Sequence, residues 1–243
     1  MRARILAVTS TLLSLMLAAP IAVQAASVDA PASAAITAPV AGQAADPAMA
    51  QDVTQLLRDW SAVKYQMHDD KAQAAKMRDL LARAADIQTR YPGRAEPLIT
   101  TGLILGSIAG YEQNAGSLDL VRKARDLFEQ VDKIDPTAME GAAAVNLGSL
   151  YYLMPGFPIG FGSDSKARKY LERGIAISPN GLESNYFYGE FLSQQGEYER
   201  SAKVLAHALD APVSVTQPVW DAGRRAEARE LLASVRQKLV AQN

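Results

Sequence analysis

Apolar residues recur every three or four positions along most of the chain after residue 47, and no segment alternates with period two, so the pattern predicts helices throughout. Val53, Leu56, Leu57, Trp60, Val63 and Met67 make one stripe, which predicts a helix from about Pro47 to Met67, with Asp46 at the cap and proline at the first helical position. Met77, Leu80, Leu81, Ala84 and Ile87 make the next, from about Asp70 to Tyr91, stopped by Pro92-Gly93. Further helices are expected over Ala95 to Ala109, Ser117 to Ile134, Gly141 to Met154, Ser165 to Ile177, Leu182 to Gln194 and Tyr198 to Leu209. A last amphipathic helix, at about 219–240, places Ala226, Leu231, Leu232, Val235 and Leu239 inward, and the Arg/Glu alternation from Arg224 to Glu230 reads as a solvated face. The breaks group the helices into hairpins at about 47–92, 95–136, 137–179 and 182–212, followed by the cap.

The stretch before residue 47 has a different pattern. Arg2 and Arg4 precede an apolar run from Ile5 to Leu17, then Pro20 and the small-residue sequence Val23-Gln24-Ala25, the build of a signal peptide cleaved after Ala25. An uncleaved anchor over Ile5 to Val23 is the competing reading, diluted by Thr9, Ser10, Thr11 and Ser14. Residues 26–46 are mostly Ala, Pro, Val, Ser and Gly with nothing to bury, and are expected to form a flexible leader. Export without a lipid anchor points to the periplasm or to secretion.

Composition narrows the chemistry. Twenty-five basic and 26 acidic residues leave a formal charge of -1, with the basic residues scattered, so nucleic acid is not the expected partner. The absence of cysteine removes disulfides, thiolate metal sites and catalytic thiols. His68 and His207 stand far apart, there is no Gly-x-Ser-x-Gly elbow and no His-x-x-x-His pair, so no catalytic residue, cofactor or metal is expected.

The hairpins share internal offsets. Pro92, Pro136, Pro179 and Pro212 close the second helices. Counting back from the last three, small residues stand at Ala124, Ala167 and Ser201, and large ones four later at Phe128, Leu171 and Leu205. In the first helices, Leu147-Gly148 with Tyr151 and Tyr188-Gly189 with Leu192 keep one spacing, with Thr101-Gly102 and Leu105 a weaker third. Small residues at such positions let two helices approach closely while the large ones fill the space between hairpins. Over about residues 95 to 212 the chain resembles the tetratricopeptide repeat (TPR) family, whose period is roughly 34 residues. Leu80 departs from the pattern, leaving 47–92 as either a repeat or a cap, and extra residues stand between Gly102 and Ala124 and between Gly148 and Ala167.

The resemblance implies an all-α, right-handed superhelix of antiparallel hairpins that binds with the concave face of its first helices. It places Glu96, Ile99, Asn146, Ser149, Tyr152, Glu183, Tyr186 and Glu190 there, an aromatic and acidic set without the Lys and Arg of a carboxylate clamp. The expected function is a non-enzymatic exported scaffold binding a protein or peptide segment in that groove. A small-molecule-binding accessory protein of a solute transporter is the alternative; a fully buried apolar pocket behind Phe157 to Phe161 would favour it, and an open groove the scaffold. The loop Pro155 to Asp164 holds Phe157, Ile159 and Phe161, which either seal the hairpin core or overlook the groove, while Asp164 is expected to cap the next helix.

Overall fold

The computed structural model describes residues 46–242. The signal peptide and the leader up to residue 45 lie outside the described residues. Within them the chain forms α1 (Pro47–Gln66), α2 (Asp70–Arg90), α3 (Ala95–Glu112), α4 (Ser117–Ile134), α5 (Ala138–Leu153), α6 (Asp164–Ile177), α7 (Leu182–Gln194), α8 (Tyr198–Leu209) and α9 (Pro218–Gln242), with no strand. None of these helices is long and apolar enough to cross a membrane.

Local chemistry sets the helix ends. The Asp46 carboxylate accepts from the amides of Ala48 and Met49 at 2.9 and 3.2 Å, and Asp69 accepts from Ala72 at 2.7 Å, so both helices of the first hairpin start on an acidic cap. Helix α7 ends in a Schellman turn: Gly196 takes φ +79°, its amide bonds Ser193, and the Glu197 amide bonds Leu192. Helix α6 differs from expectation by one residue. Ser163, whose Oγ accepts from the Lys166 amide, is the cap, and Asp164 is the first helical residue. The larger departure is in α5, where Met139, Glu140 and Gly141 all take left-handed φ of 48°, 59° and 78° before the regular helix runs on. Two of the three are not glycine, so this turn stores strain.

The hairpins pack through the predicted crossings. A Cβ added to Gly102 would lie 2.6 Å from Phe128, to Gly148 2.5 Å from Leu171, and to Gly189 2.6 Å from Leu205. Ala124, Ala167 and Ser201 are wholly buried beside them. The first hairpin stacks on α3 through Met77, Leu80, Ile87, Ile104 and Ile108 without any glycine crossing. The extra residues between Gly102 and Ala124 lengthen α3 and α4, whereas those after Gly148 form the loop to α6.

Helix α9 overturns part of the sequence reading. Ala228, Leu232 and Val235 face inward, Leu231 and Leu239 are partly buried, but Ala226 is exposed. Arg224 and Arg225, expected in solvent, are only 4% and 7% exposed. The reason is that α9 has neighbours on two sides. One face lies on α7 and α8, and another reaches α1, where Lys64 and Tyr65 meet Glu227. Residues 211–217 are fastened to the same helix: Arg58 donates to the Thr216 carbonyl at 3.0 Å and Gln217 to the Thr54 carbonyl at 3.1 Å. The last segment of the array is therefore tied to its first helix.

Candidate functional site

That tie leaves a cavity of about 780 Å³ between α1, α3, α5, the start of α7 and the 211–217 segment. Small-molecule sites fall in the range of roughly 300 to 1,000 Å³. Met49, Val53, Leu57, Leu103 and Val145 supply apolar wall, and both tryptophans of the chain, Trp60 and Trp220, stand on it. Trp60 is oriented by its indole N–H, which donates to Ser107 Oγ at 2.9 Å. Asp46, Glu96, Glu140 and Glu183 bring carboxylates to the wall, and among the described residues no Lys, Arg or His lines it. The strained turn of α5 belongs to this wall through Met139 and Glu140.

Beside the cavity lies a buried charged cluster. Arg224 holds Glu183 with two hydrogen bonds, Nε to Oε2 at 2.9 Å and Nη2 to Oε1 at 3.0 Å, and donates a third to Glu227 at 2.5 Å. Its guanidinium stacks 4.4 Å from the Tyr186 ring and 4.8 Å from that of Phe187. Glu227 also takes Lys64 at 3.1 Å and the Tyr65 hydroxyl at 3.2 Å. Tyr152 donates its hydroxyl to Glu190, and both residues are buried.

The environment sorts these groups. Burial pushes the Glu190 carboxyl up, against the hydrogen bond from Tyr152. Burial acts the same way on Glu227, but Arg224 and Lys64 outweigh it and hold that carboxyl low. Burial and then Arg224 pull the Lys64 ammonium down, and burial raises the hydroxyls of Tyr65, Tyr152 and Tyr186. Arg224 and Lys64 thus balance Glu183 and Glu227, while burial makes the charged form of Glu190 more costly. The cluster uses its charges on itself.

The sequence-derived groove residues divide accordingly. Glu96, Asn146 and Glu183 line the cavity. Tyr152, Tyr186 and Glu190 are buried and present no open face: Arg224 of α9 lies over Tyr186, while Tyr152 closes on Glu190 and Phe191. Ile99 is wholly buried and Ser149 nearly so. The loop neither overlooks the cavity nor seals the core as a unit: none of residues 155–164 lines the cavity. Phe157 is 94% exposed and Ile159 66%. Only Phe161 folds back, edge-on to Tyr151 with Arg125 over its ring. The loop is nevertheless shaped: the Gly162 amide bonds the Pro155 carbonyl at 2.8 Å, and a Cβ at Gly162 would collide with the backbone of Met154. Sequence reasoning missed Trp60, Glu140 and Trp220 as site residues. Trp60 falls in a core stripe, and Trp220 and Glu140 gain meaning only once α9 and the α5 turn are placed.

The helices pair in sequence order, and three of the pairs cross through glycine on Phe128, Leu171 or Leu205. The chain is an all-α, TPR-like array of helical hairpins. No protein-family model and no curated protein matches it in sequence. Among solved structures it is similar to a thermophilic TPR protein of Thermus thermophilus, with 16% identity over 76% of this chain and 93% of that one, at a TM-score of 0.49. The TPR-like assignment stands on this chain's own crossings. Stacked helical repeats bind through their concave surface, which makes a binding scaffold the coarse functional reading.

Proposed function

We propose that this TPR-like array is a non-enzymatic protein of the cell envelope that holds a small molecule in its central cavity. The observation that carries the reading is a largely apolar, partly open space of about 780 Å³, with residues 211–217 and Trp220 of α9 standing on its wall. Export rests on Arg2, Arg4, the Ile5 to Leu17 run and Ala25. An accessory protein that delivers a solute to a transporter is the role these features fit together.

A second reading, a scaffold for a protein partner, has a different observation behind it. Leu153 at the end of α5 and Phe157 and Ile159 on the loop after it are exposed within one short stretch, and none of them lines the cavity. One pair of experiments separates the two. Protein purified from its own envelope under gentle conditions should release a small molecule on denaturation, read by mass spectrometry, and Ala142→Trp on the cavity wall should abolish the retention while circular dichroism stays unchanged. Retention by a folded Ala142→Trp protein would defeat the cavity reading. Specific capture of a protein, lost in Phe157→Ser with Ile159→Ser, would favour the scaffold.

A further inference from the structure

The cavity wall is one-sided in charge, and that asymmetry selects a ligand class; the inference rests on the cavity being the ligand site. Of its carboxylates, Asp46 is engaged in capping α1 and Glu183 is held by Arg224. Glu96 meets Arg94 at 3.5 Å. Glu140 differs. It accepts from the Ser178 hydroxyl at 3.1 Å, a neutral partner, and no described cation pairs with it. The left-handed turn at Met139 to Gly141 sets it on the wall.

The aromatic groups point the same way. Trp60 and Trp220 are the only tryptophans in the chain, and both line this one space. The indole face is the strongest of the aromatic side chains in attracting a cation. Lys64, which lies 5.8 Å from the Trp60 ring, is bound to Glu227 and is not part of the wall. Gln217, also on the wall, buries a side-chain oxygen that has no hydrogen-bond donor. The rest of the wall mixes apolar side chains such as Leu57, Leu103 and Val145 with serines, threonines and asparagines.

We infer that the cavity takes an organic cation with an apolar body, its ammonium group facing Glu140 and Glu96 and its hydrocarbon lying against Trp60, Trp220, Leu57 and Val145. An anion would meet carboxylates with no wall cation to offset them. A neutral ligand would offer the exposed Glu140 carboxylate no charge partner. The ammonium supplies the positive charge that the wall lacks.

Three probes of equal chain length test this: n-octylammonium, n-octanol and octanoate, titrated into the full mature chain with intrinsic tryptophan fluorescence as the readout. Because both tryptophans line the cavity, occupancy should change the emission. Octylammonium is expected to bind about tenfold more tightly than octanol, with octanoate weakest. Glu140→Gln should weaken octylammonium by about three- to tenfold and leave octanol unmoved. Glu96→Gln should act in the same direction, and unchanged circular dichroism shows that each variant is folded. Equal affinity for octanol and octylammonium, tighter binding of octanoate, or no loss in either variant overturns the cationic ligand while leaving the cavity a ligand site. If no probe changes the emission, or if Ala142→Trp binds them all as well as wild type, the cavity reading fails too.

Discussion

Replacing Arg224 with alanine removes the group on which three helices converge. Its side chain is 4% exposed and makes two hydrogen bonds to Glu183 and one to Glu227, with Tyr186 and Phe187 against its faces. Removing one partner of a fully buried ion pair costs about 3 to 5 kcal/mol, because the other charge stays buried without compensation. Here the two carboxylates keep 26% and 28% side-chain exposure, and Glu227 retains Lys64, so solvent screens part of the loss. About 2 to 4 kcal/mol is the expected loss, including the cation–π contacts. Urea denaturation followed by far-UV circular dichroism measures it, with exposed Arg229→Ala as a control expected to stay within about 0.5 kcal/mol. A cycle with Glu183→Gln should give a coupling above about 1 kcal/mol. Salt should change the loss little, since buried pairs are poorly screened. An Arg224→Ala protein as stable as the Arg229→Ala control, or a coupling that vanishes in high salt, would mean that the cluster is a surface feature and does not hold α9.

Two further outcomes follow from the packing and the charges. Gly148→Leu should destabilise by about 1 to 3 kcal/mol or more, because even a Cβ there sits 2.5 Å from Leu171. Gly106→Ala, in a helix interior with nothing within 4 Å, should stabilise by up to about 1 kcal/mol; equal denaturation midpoints for the two would mean the crossings are misplaced. Glu190 has a carboxyl raised by burial in the folded state, so the stability it contributes is full below its unfolded pKa of about 4.3 and is lost as pH rises through the folded value. Glu190→Gln should therefore gain melting temperature over wild type at neutral pH and lose that advantage below about pH 4, and a pH-independent difference would contradict the shift.

The scaffold was legible because local rules carry it. Prolines, Gly196 and the apolar stripes mark helix ends within a few residues, and Gly148, Ala167 and Leu171 announce a close crossing by size alone. The site was less legible, for a physical reason visible in α9. Arg224, Arg225 and Glu227 look like a solvated face because single-sequence reading takes charge as exposure, whereas a helix touched on two sides can bury charges that pair. The partners of Arg224, Glu183 and Glu227, stand at positions whose proximity no helical spacing reveals. The acidic and aromatic composition of the first helices is plain in the sequence, but Tyr186 is covered by the chain's own α9, and Tyr152 and Glu190 close on each other. The loop misled in the opposite sense. Phe157 and Ile159 are apolar yet exposed, because glycine contacts and the Phe161 anchor fix the loop's shape without burying them.

Closure of the array makes the cavity and the docking of α9 one structure. Arg225 donates to the carbonyls of Leu209, Ala211 and Pro212, so it caps α8 and fixes the beginning of the 211–217 segment. Asp221 holds both Arg225 and the Ser214 amide, and Thr216 is held from α1 by Arg58. The same residues that terminate the repeat therefore build one wall of the ligand space. In an open solenoid the terminal helix can fray without changing a groove several repeats away, since each repeat contacts only its neighbours. Here undocking of α9 releases Glu183 from Arg224 and frees the 211–217 segment from Asp221 and Arg225. By linkage, a ligand that bridges α1 and the 211–217 segment stabilises the docked helix by RT ln(1 + [L]/Kd), so binding and closure reinforce each other. Arg224 lies off the cavity wall, yet its pairing with Glu183 positions a residue on it. It can govern the site without touching the ligand.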